Sequence, residues 1–375
     1  MKSLFSLSAL TVAFSLTFSL AQAQTAAPDG LVSPEPHADR TVTFRVRAPQ
    51  ATVVSLYGDW MPVNKPENMT KGADGVWSIT TAPLAANGHL YWFNLDGLAI
   101  ADPVNPRIKL RQRTSASLVE VPDTAPLPWD LRDVPHGVLV TEWQKSATLN
   151  RTERFVIYLP PGYEKGNTRY PVLYLVHGSG DVPESWTNAG NANLILDNLI
   201  ADKKAKPMIV VMPAGHAVPF GGRGAGGNNS QLFDKYLTTE VIPFIDGKYR
   251  VAPGAKNRAL AGLSMGGGHT INTGFSHPEL FSALGIFSPA IPQNFADTYK
   301  AALADPKATN AKLSVIWIAC GEQDTTVQFP RVKQFAEMLE QKGIHETFRP
   351  YDGAHVWPVW RNSLVDFVPL IFAGK

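Results

Sequence analysis

The sequence predicts an α/β fold with a parallel sheet, preceded by a small β-sandwich. Three observations lead there. Between about residues 31 and 121, short runs alternate apolar and polar with period two and are separated by turn signals. From about residue 136, apolar runs of strand length alternate with helical patterns, as in a parallel sheet covered on both faces. Between the two textures lies the proline-rich stretch Val121-Pro122-Asp123-Thr124-Ala125-Pro126-Leu127-Pro128. The expected divisions are a β-sandwich over 30–121, an extended linker over 122–135 and the α/β domain over 136–375.

The elements follow in chain order. Residues 1–23 read as a signal peptide: Lys2 gives the positive start, 4–20 the apolar stretch, and Ala21-Gln22-Ala23 the A-x-A cleavage site. The protein is therefore expected to be secreted or periplasmic. Strands are predicted over 41–47, 52–57, 75–81 and 90–95, with turns at Pro49-Gln50, Ala73-Asp74-Gly75 and Asn87-Gly88. In the second region strands are predicted over 154–159, 172–177, 208–212, 258–263, 283–287, 313–320 and 346–351. Helices are predicted over 191–201, 232–248, 267–276, 332–342 and from about 364. The glycine-rich run 221–227 has no phosphate-loop pattern and reads as a flexible loop near the sheet's C-terminal edge.

Composition narrows the function. With 34 Lys and Arg against 32 Asp and Glu, the formal charge is +2, so nothing points to nucleic acid or an anionic membrane as partner. After the leader no stretch is long and apolar enough to span a bilayer. An apolar fraction of 44% with 18% charged residues suits a sizeable core. The single cysteine, Cys320, lies in an apolar run and reads as a buried, inert thiol. The chain has no H-E-x-x-H, no paired cysteine and no G-x-G-x-x-G after a strand, so neither a metal nor a dinucleotide cofactor is expected.

Gly262-Leu263-Ser264-Met265-Gly266 fits G-x-S-x-G, between the strand 258–263 and a helix. Strand, sharp turn and helix make a nucleophile elbow, which lifts the Ser264 hydroxyl out of the sheet beside a helix N-terminus. This motif in this context specifies an α/β-hydrolase fold. A serine hydroxyl needs a base. In this fold an acid and then a histidine follow the serine along the chain. His355, just past the last strand, takes the place of the base; His177, His269, His277 and His345 are rivals in less suitable positions. Asp324, after the strand 313–320, is the acid that would fix the imidazole tautomer, with Glu322 as its rival. The oxyanion hole needs two backbone N–H groups: one from Met265, the other from Ser179 or Gly180 in His177-Gly178-Ser179-Gly180-Asp181. Such a donor is typically worth about 10²–10³ in turnover.

Several segments carry a family resemblance. Tyr170-Pro171-Val172-Leu173-Tyr174-Leu175-Val176-His177-Gly178, Pro207-Met208-Ile209-Val210-Val211-Met212-Pro213, Asn257 through Gly267 and His355-Val356-Trp357-Pro358-Val359-Trp360 resemble the esterase D and feruloyl esterase group of carbohydrate esterase family one. The N-terminal region is similar to family-48 carbohydrate-binding modules, in Phe44 to Pro49, Asp74-Gly75-Val76-Trp77 and the segment from Asp96-Gly97 to Asp102-Pro103. The resemblance implies hydrolysis of ferulate or acetate esters on plant arabinoxylan and the triad Ser264, Asp324 and His355 that position also selects. Asp352-Gly353-Ala354-His355 departs from the family, which more often has two glycines before the histidine.

Trp186, Trp357 and Trp360 lie on segments flanking the site and are candidates to hold an aromatic acyl group or a sugar ring. In the module, Trp60, Trp77 and Trp92 are candidate sugar platforms, with Trp77 and Trp92 expected in the core because they lie on strands. The N-terminal region also has a second reading, as one wall of the cleft. Three readings compete with the feruloyl esterase: an acetyl xylan esterase, an enterochelin-type siderophore esterase and a non-catalytic carbohydrate-binding protein. An iron-loaded anionic siderophore calls for a basic pocket, for which Arg223 and Arg361 are the available residues. A dead hydrolase would lack one of Ser264, Asp324 or His355.

Overall fold

The computed structural model of the chain describes residues 30–63, 65–221 and 228–372. The leader at 1–23 and Arg223 lie outside the described residues, as does 222–227 of the glycine-rich loop.

The N-terminal β region contains two antiparallel sheets on one core. Strands β1 (Val42–Arg47), β2 (Val54–Gly58), β3 (Val76–Thr80) and β4 (Gly88–Leu95) form close to their expected places. Two further strands, β5 (Ile108–Lys109) and β6 (Ala116–Glu120), extend the second sheet beside β4. Period two explains the core: Val42, Phe44 and Val46 of β1 point inward with Val54 and Leu56 of β2 and Tyr91 and Phe93 of β4. The opposite face of β4, Leu90 and Trp92, must then point away from that core.

The second region has an eight-stranded sheet in the order β7-β8-β10-β9-β11-β12-β13-β14. These strands are β7 (Val138–Ser146), β8 (Arg151–Leu159), β9 (Val172–Val176), β10 (Ile209–Met212), β11 (Arg258–Leu263), β12 (Ala283–Phe287), β13 (Val315–Gly321) and β14 (Thr347–Tyr351). The sheet is mixed: β7, β8 and β10 pair antiparallel, and every other pairing is parallel. Strand β7 was not predicted. It is an edge strand whose apolar start, Val138-Leu139-Val140, gives way to Thr141, Glu142, Gln144, Lys145 and Ser146 with Trp143 among them, so it lacks the continuous apolar run of a central strand.

Helices cover both faces, as the alternation of β9 dictates. Val172, Tyr174 and Val176 share a core with Phe233 and Tyr236 of α2 (Asn229–Tyr236), Ile245 of α3 (Ile242–Lys248), Ile271 of α4 (Met265–Ser276) and Phe335 of α5 (Phe329–Gln341). Leu173 and Leu175 share the other core with Ile195 and Leu196 of α1 (Ala192–Ala201) and Leu364 of α6 (Trp357–Phe367). The helix expected over 232–248 is wound into a π turn at Leu237–Val241, just before Pro243, which has no N–H to give the helix ladder. Helix α6 starts seven residues before its predicted start, where Pro358 suits the first turn.

The proline-rich stretch is not a free linker. Trp129 is buried in the core beneath α1, and Asn198 Nδ2 donates to the carbonyls of Pro128 and Asp130 at 2.9 Å each. The two regions are also clamped. Arg361 of α6, completely buried, donates from Nη1 and Nη2 to the two carboxylate oxygens of Glu120 on β6, both at 2.8 Å. Its Nε donates to Ala189 O. Gly88 makes room for it, since a Cβ there would lie 2.3 Å from Arg361 Nη2. Arg361 is therefore consumed by this joint and gives the site no positive charge. Among the described residues no helix is long and apolar enough to cross a membrane.

Candidate active site

Ser264 and His355 line one cleft of about 250 Å³ at the C-terminal edge of the large sheet. Close packing at the elbow explains both glycines of the motif. A Cβ on Gly262 would lie 2.5 Å from the Gly266 carbonyl carbon, and one on Gly266 would lie 2.4 Å from Val176 O. Both obstacles are backbone, which has no freedom to move aside. Ser264 is held at φ 54° and ψ −113°, the strained conformation of an elbow serine. The turn is pinned from both sides: Ser264 N donates to Phe287 O at 2.9 Å, and Ala290 N donates to Ser264 O at 2.9 Å.

Asp324 and His355 meet as the spacing required. His355 Nδ1 donates to Asp324 Oδ2 at 2.7 Å. The other carboxylate oxygen accepts the N–H groups of Thr326 and Val327. Burial opposes ionisation of Asp324, but the His355 hydrogen bond and charge and the Val327 N–H outweigh it, holding the carboxyl below its ordinary value. An ionised acceptor on Nδ1 leaves the Nε2 lone pair free to take a proton. Glu322 is exposed and Asp324 buried, which separates the rival from the partner. Ser264 Oγ makes no hydrogen bond among the described residues; such bonds commonly tighten only with substrate in place. Cys320, behind Asp324, is pushed up to about 12 by burial and by the Asp324 charge, so it is a poor nucleophile.

The rival histidines have other work. His177 Nε2 accepts Gly215 N–H at 2.9 Å, which leaves Nδ1 to donate to Gly178 O at 2.8 Å. His269 is completely buried beside Gly215 O, and burial pushes it down to about 3. His277 pairs with Asp234, and His345 is exposed. His216 accepts Gly180 N–H on Nε2 at 3.0 Å. That bond removes Gly180 from the two candidates for the second oxyanion donor. The N–H groups of Ser179 and Met265 have no acceptor among the described residues, and Ser179 lines the cleft.

The three site tryptophans divide. Trp357 and Trp360 line the cleft, and the Trp360 ring stands edge-on to His355 at 5.0 Å. Trp186, expected beside them, is enclosed behind Trp357, with its Nε1 donating to Val176 O. It is a core residue that supports Trp357 and does not line the cleft.

The facing wall comes from the N-terminal β region. Tyr57, Asp59, Trp92, Lys109 and Arg111 all line the cleft, and the Tyr57 and Trp92 rings stack at 4.3 Å. Trp77 lies in the core as expected, but Trp92 does not. The signal was in the pattern: with Tyr91 and Phe93 inward, Trp92 had to face outward. Lys109 and Arg111 are balanced by Asp59 and Asp181, so the cleft is not basic.

The comparisons with known proteins fit this geometry. A family model described as putative esterase matches residues 146–371. An endo-1,4-beta-xylanase/feruloyl esterase from Xylanibacter ruminicola is 33% identical over 342 residues, 88% of this chain and 44% of that protein. The chain spans about half the length of the curated relatives it matches. A solved ferulic acid esterase is 28% identical with a TM-score of 0.54, over 63% of this chain and 97% of its own. The enterobactin esterase of Shigella flexneri has a TM-score of 0.66 at 21% identity, over 88% of this chain and 92% of its own, a likeness of fold alone. The matched residues 146–371 include the elbow, the acid and the histidine, and the chain belongs to the putative esterase family.

Proposed function

We propose that the protein removes feruloyl groups from plant cell-wall xylan through an acyl-enzyme on Ser264. His355 Nε2 takes the Ser264 hydroxyl proton as Oγ attacks the ester carbonyl. The N–H groups of Met265 and Ser179 receive the developing oxyanion. His355 then returns the proton to the departing sugar oxygen, and the C–O bond to the sugar breaks. Water, deprotonated by His355, attacks the acyl-enzyme; free acid and Ser264 follow. Asp324 holds the tautomer and stabilises the imidazolium.

The observation that carries this reading is the bonded His355–Asp324 pair sharing a cleft with the strained elbow serine and an aromatic wall. Trp360, Tyr57 and Trp92 suit a planar acyl group. Support for a plant ester comes from the xylanase/feruloyl esterase relative. The N-terminal β region is read as a carbohydrate-binding module of the β-sandwich type, and residues 1–23 as a leader for secretion or the periplasm. An anionic iron-loaded siderophore fits a charge-balanced cleft less well.

The test is release of ferulate from methyl ferulate beside release of acetate from acetylated xylan, with wild type and Ser264→Ala. We expect ferulate release that falls roughly 10⁴-fold or more in the variant. Acetate release alone would move the function to deacetylation, and full activity in Ser264→Ala would overturn the nucleophile.

A further inference from the structure

We infer that Lys109, in the N-terminal β region, is a positioning residue for ester hydrolysis: its ion pair with Asp181 holds the loop 177–181 so that the Ser179 N–H faces the cleft. The inference rests on the oxyanion role proposed for that loop.

The loop is built from small residues and has no regular secondary structure of its own. Its shape is imposed from three sides. From beneath, His177 holds Gly178 O, and His216 holds the Gly180 N–H. From the N-terminal β region, Gln112 N donates to Gly180 O at 2.8 Å, and Gln112 Nε2 donates to Asp181 O at 3.3 Å. The third hold is the Lys109–Asp181 pair, whose side chains are 4% and 6% exposed. The Lys109 ammonium also lies over the Trp357 ring, 5.4 Å from its centroid. The carbonyl of the Ser179 N–H's own peptide, Gly178 O, and the next N–H along, that of Gly180, are both bonded elsewhere, while the Ser179 N–H has no acceptor among the described residues and Ser179 lines the cleft.

Stability alone gives little reason for such a pair. A buried ion pair often contributes no more than well-packed apolar residues of the same size. It does fix geometry, because neither charge can leave without stranding the other. The Lys109 ammonium also stands too deep in a neutralising contact to serve as a binding charge for an anionic substrate. Fixing the donor before the oxyanion forms is what an oxyanion hole requires.

The experiment compares wild type, Lys109→Met, Asp181→Asn and the double variant in the full chain, with Ser264→Ala as control. The readouts are kcat and KM on methyl ferulate, thermal midpoint, and affinity for phenylboronic acid against ferulate. The boronate forms a tetrahedral adduct on serine and uses the oxyanion hole; ferulate is the flat product. We expect Lys109→Met to lower kcat about 10–100-fold with KM within about threefold, less than complete loss of one donor. Boronate affinity should fall in parallel, ferulate affinity should hold, and the double variant should lose no more than the worse single one. Unchanged kcat and boronate affinity, or a kcat loss matched by a loss of ferulate affinity, would overturn the inference. Should Lys109→Met not fold, Asp181→Asn, which keeps the side chain's shape and removes the charge that Lys109 pairs with, carries the test: kcat and boronate affinity falling together supports the strut, and neither falling overturns it. An active Ser264→Ala strikes the underlying reading instead, whatever Lys109→Met does.

Discussion

The two walls of the cleft are made by different rules. The wall from the large sheet is backbone under constraint: a serine at φ 54°, glycines whose Cβ atoms would collide with main chain, and N–H groups without acceptors among the described residues. The wall from the N-terminal β region is side chains on regular strands: Tyr57 and Trp92 stacked on an outward face, with Lys109 and Arg111 beyond them. On the proposed function the first kind of wall does the chemistry, because its donors and nucleophile are fixed before the substrate arrives. The second kind is expected to select the substrate, because the strand face presents the stacked Tyr57 and Trp92 rings. The difference teaches that catalysis and choice of ester should separate under mutation between the elbow side and the aromatic rings, with Lys109 the residue of the second wall that serves the first.

The sharpest way to break that division is Asp324→Asn. It keeps the shape and removes the anion that fixes the His355 tautomer, so kcat should drop about 10⁴-fold with little change in KM. A rise in KM with kcat unchanged, measured by steady-state kinetics on methyl ferulate, would mean that the first wall binds and does not react. On the second wall, Trp92→Ala should raise KM for methyl ferulate about five- to tenfold and leave kcat on a small acetate ester within about twofold. Equal losses on both esters would merge the two walls into one function.

A smaller effect separates the walls by pH. His216, behind the first wall, is pushed down to about 4 by burial and by its neighbours His177 and Arg151, against the pull of Asp181. His269 is pushed down to about 3, chiefly by burial. The unfolded chain takes up protons on both below pH 6.5, and the fold resists until about 4 and about 3. Their contribution to stability is therefore full above 6.5 and declines as pH falls towards those values. Asp324 acts in the same direction, below its ordinary 3.8. His89, behind the second wall, runs the other way: burial opposes its charge, but Asp59 outweighs burial and raises it. Its contribution is present below 6.5 and is lost as pH rises through its folded value. Thermal midpoints should fall on acidification from about pH 7 to 4, and His216→Gln should flatten that slope.

The residues of the first wall were legible in the sequence; of the second, its existence was legible as one reading of the N-terminal region, and its residues mostly were not. Gly262, Ser264, Gly266, Asp324 and His355 sit where strand ends must place them, because backbone constraint leaves a local trace in residue type and order. The choice between Ser179 and Gly180 left no such trace: it depends on His216, a residue 36 positions away from Gly180. Trp186 and Trp357 read alike as loop aromatics, and only packing decides that one stands behind the other. Strand membership alone does not bury Trp92, because Tyr91 and Phe93 occupy the inward face of the same strand. Lys109 and Arg111 could not be read at all as site residues, since their place depends on how two distant regions dock. The stretch 122–135 looked like a spacer for the same reason; its partners on α1 lie some 70 positions on.

That docking has a consequence for modularity. The joint is a lock with parts on both sides: the guanidinium of Arg361, the carboxylate of Glu120 and the empty space above Gly88. A foreign β module grafted ahead of this hydrolase would need an acid and a glycine at those two places, or it would leave an arginine stranded in the interior. Fusion partners here are not beads on a string, and shuffling them at the proline-rich stretch would cut through the lock.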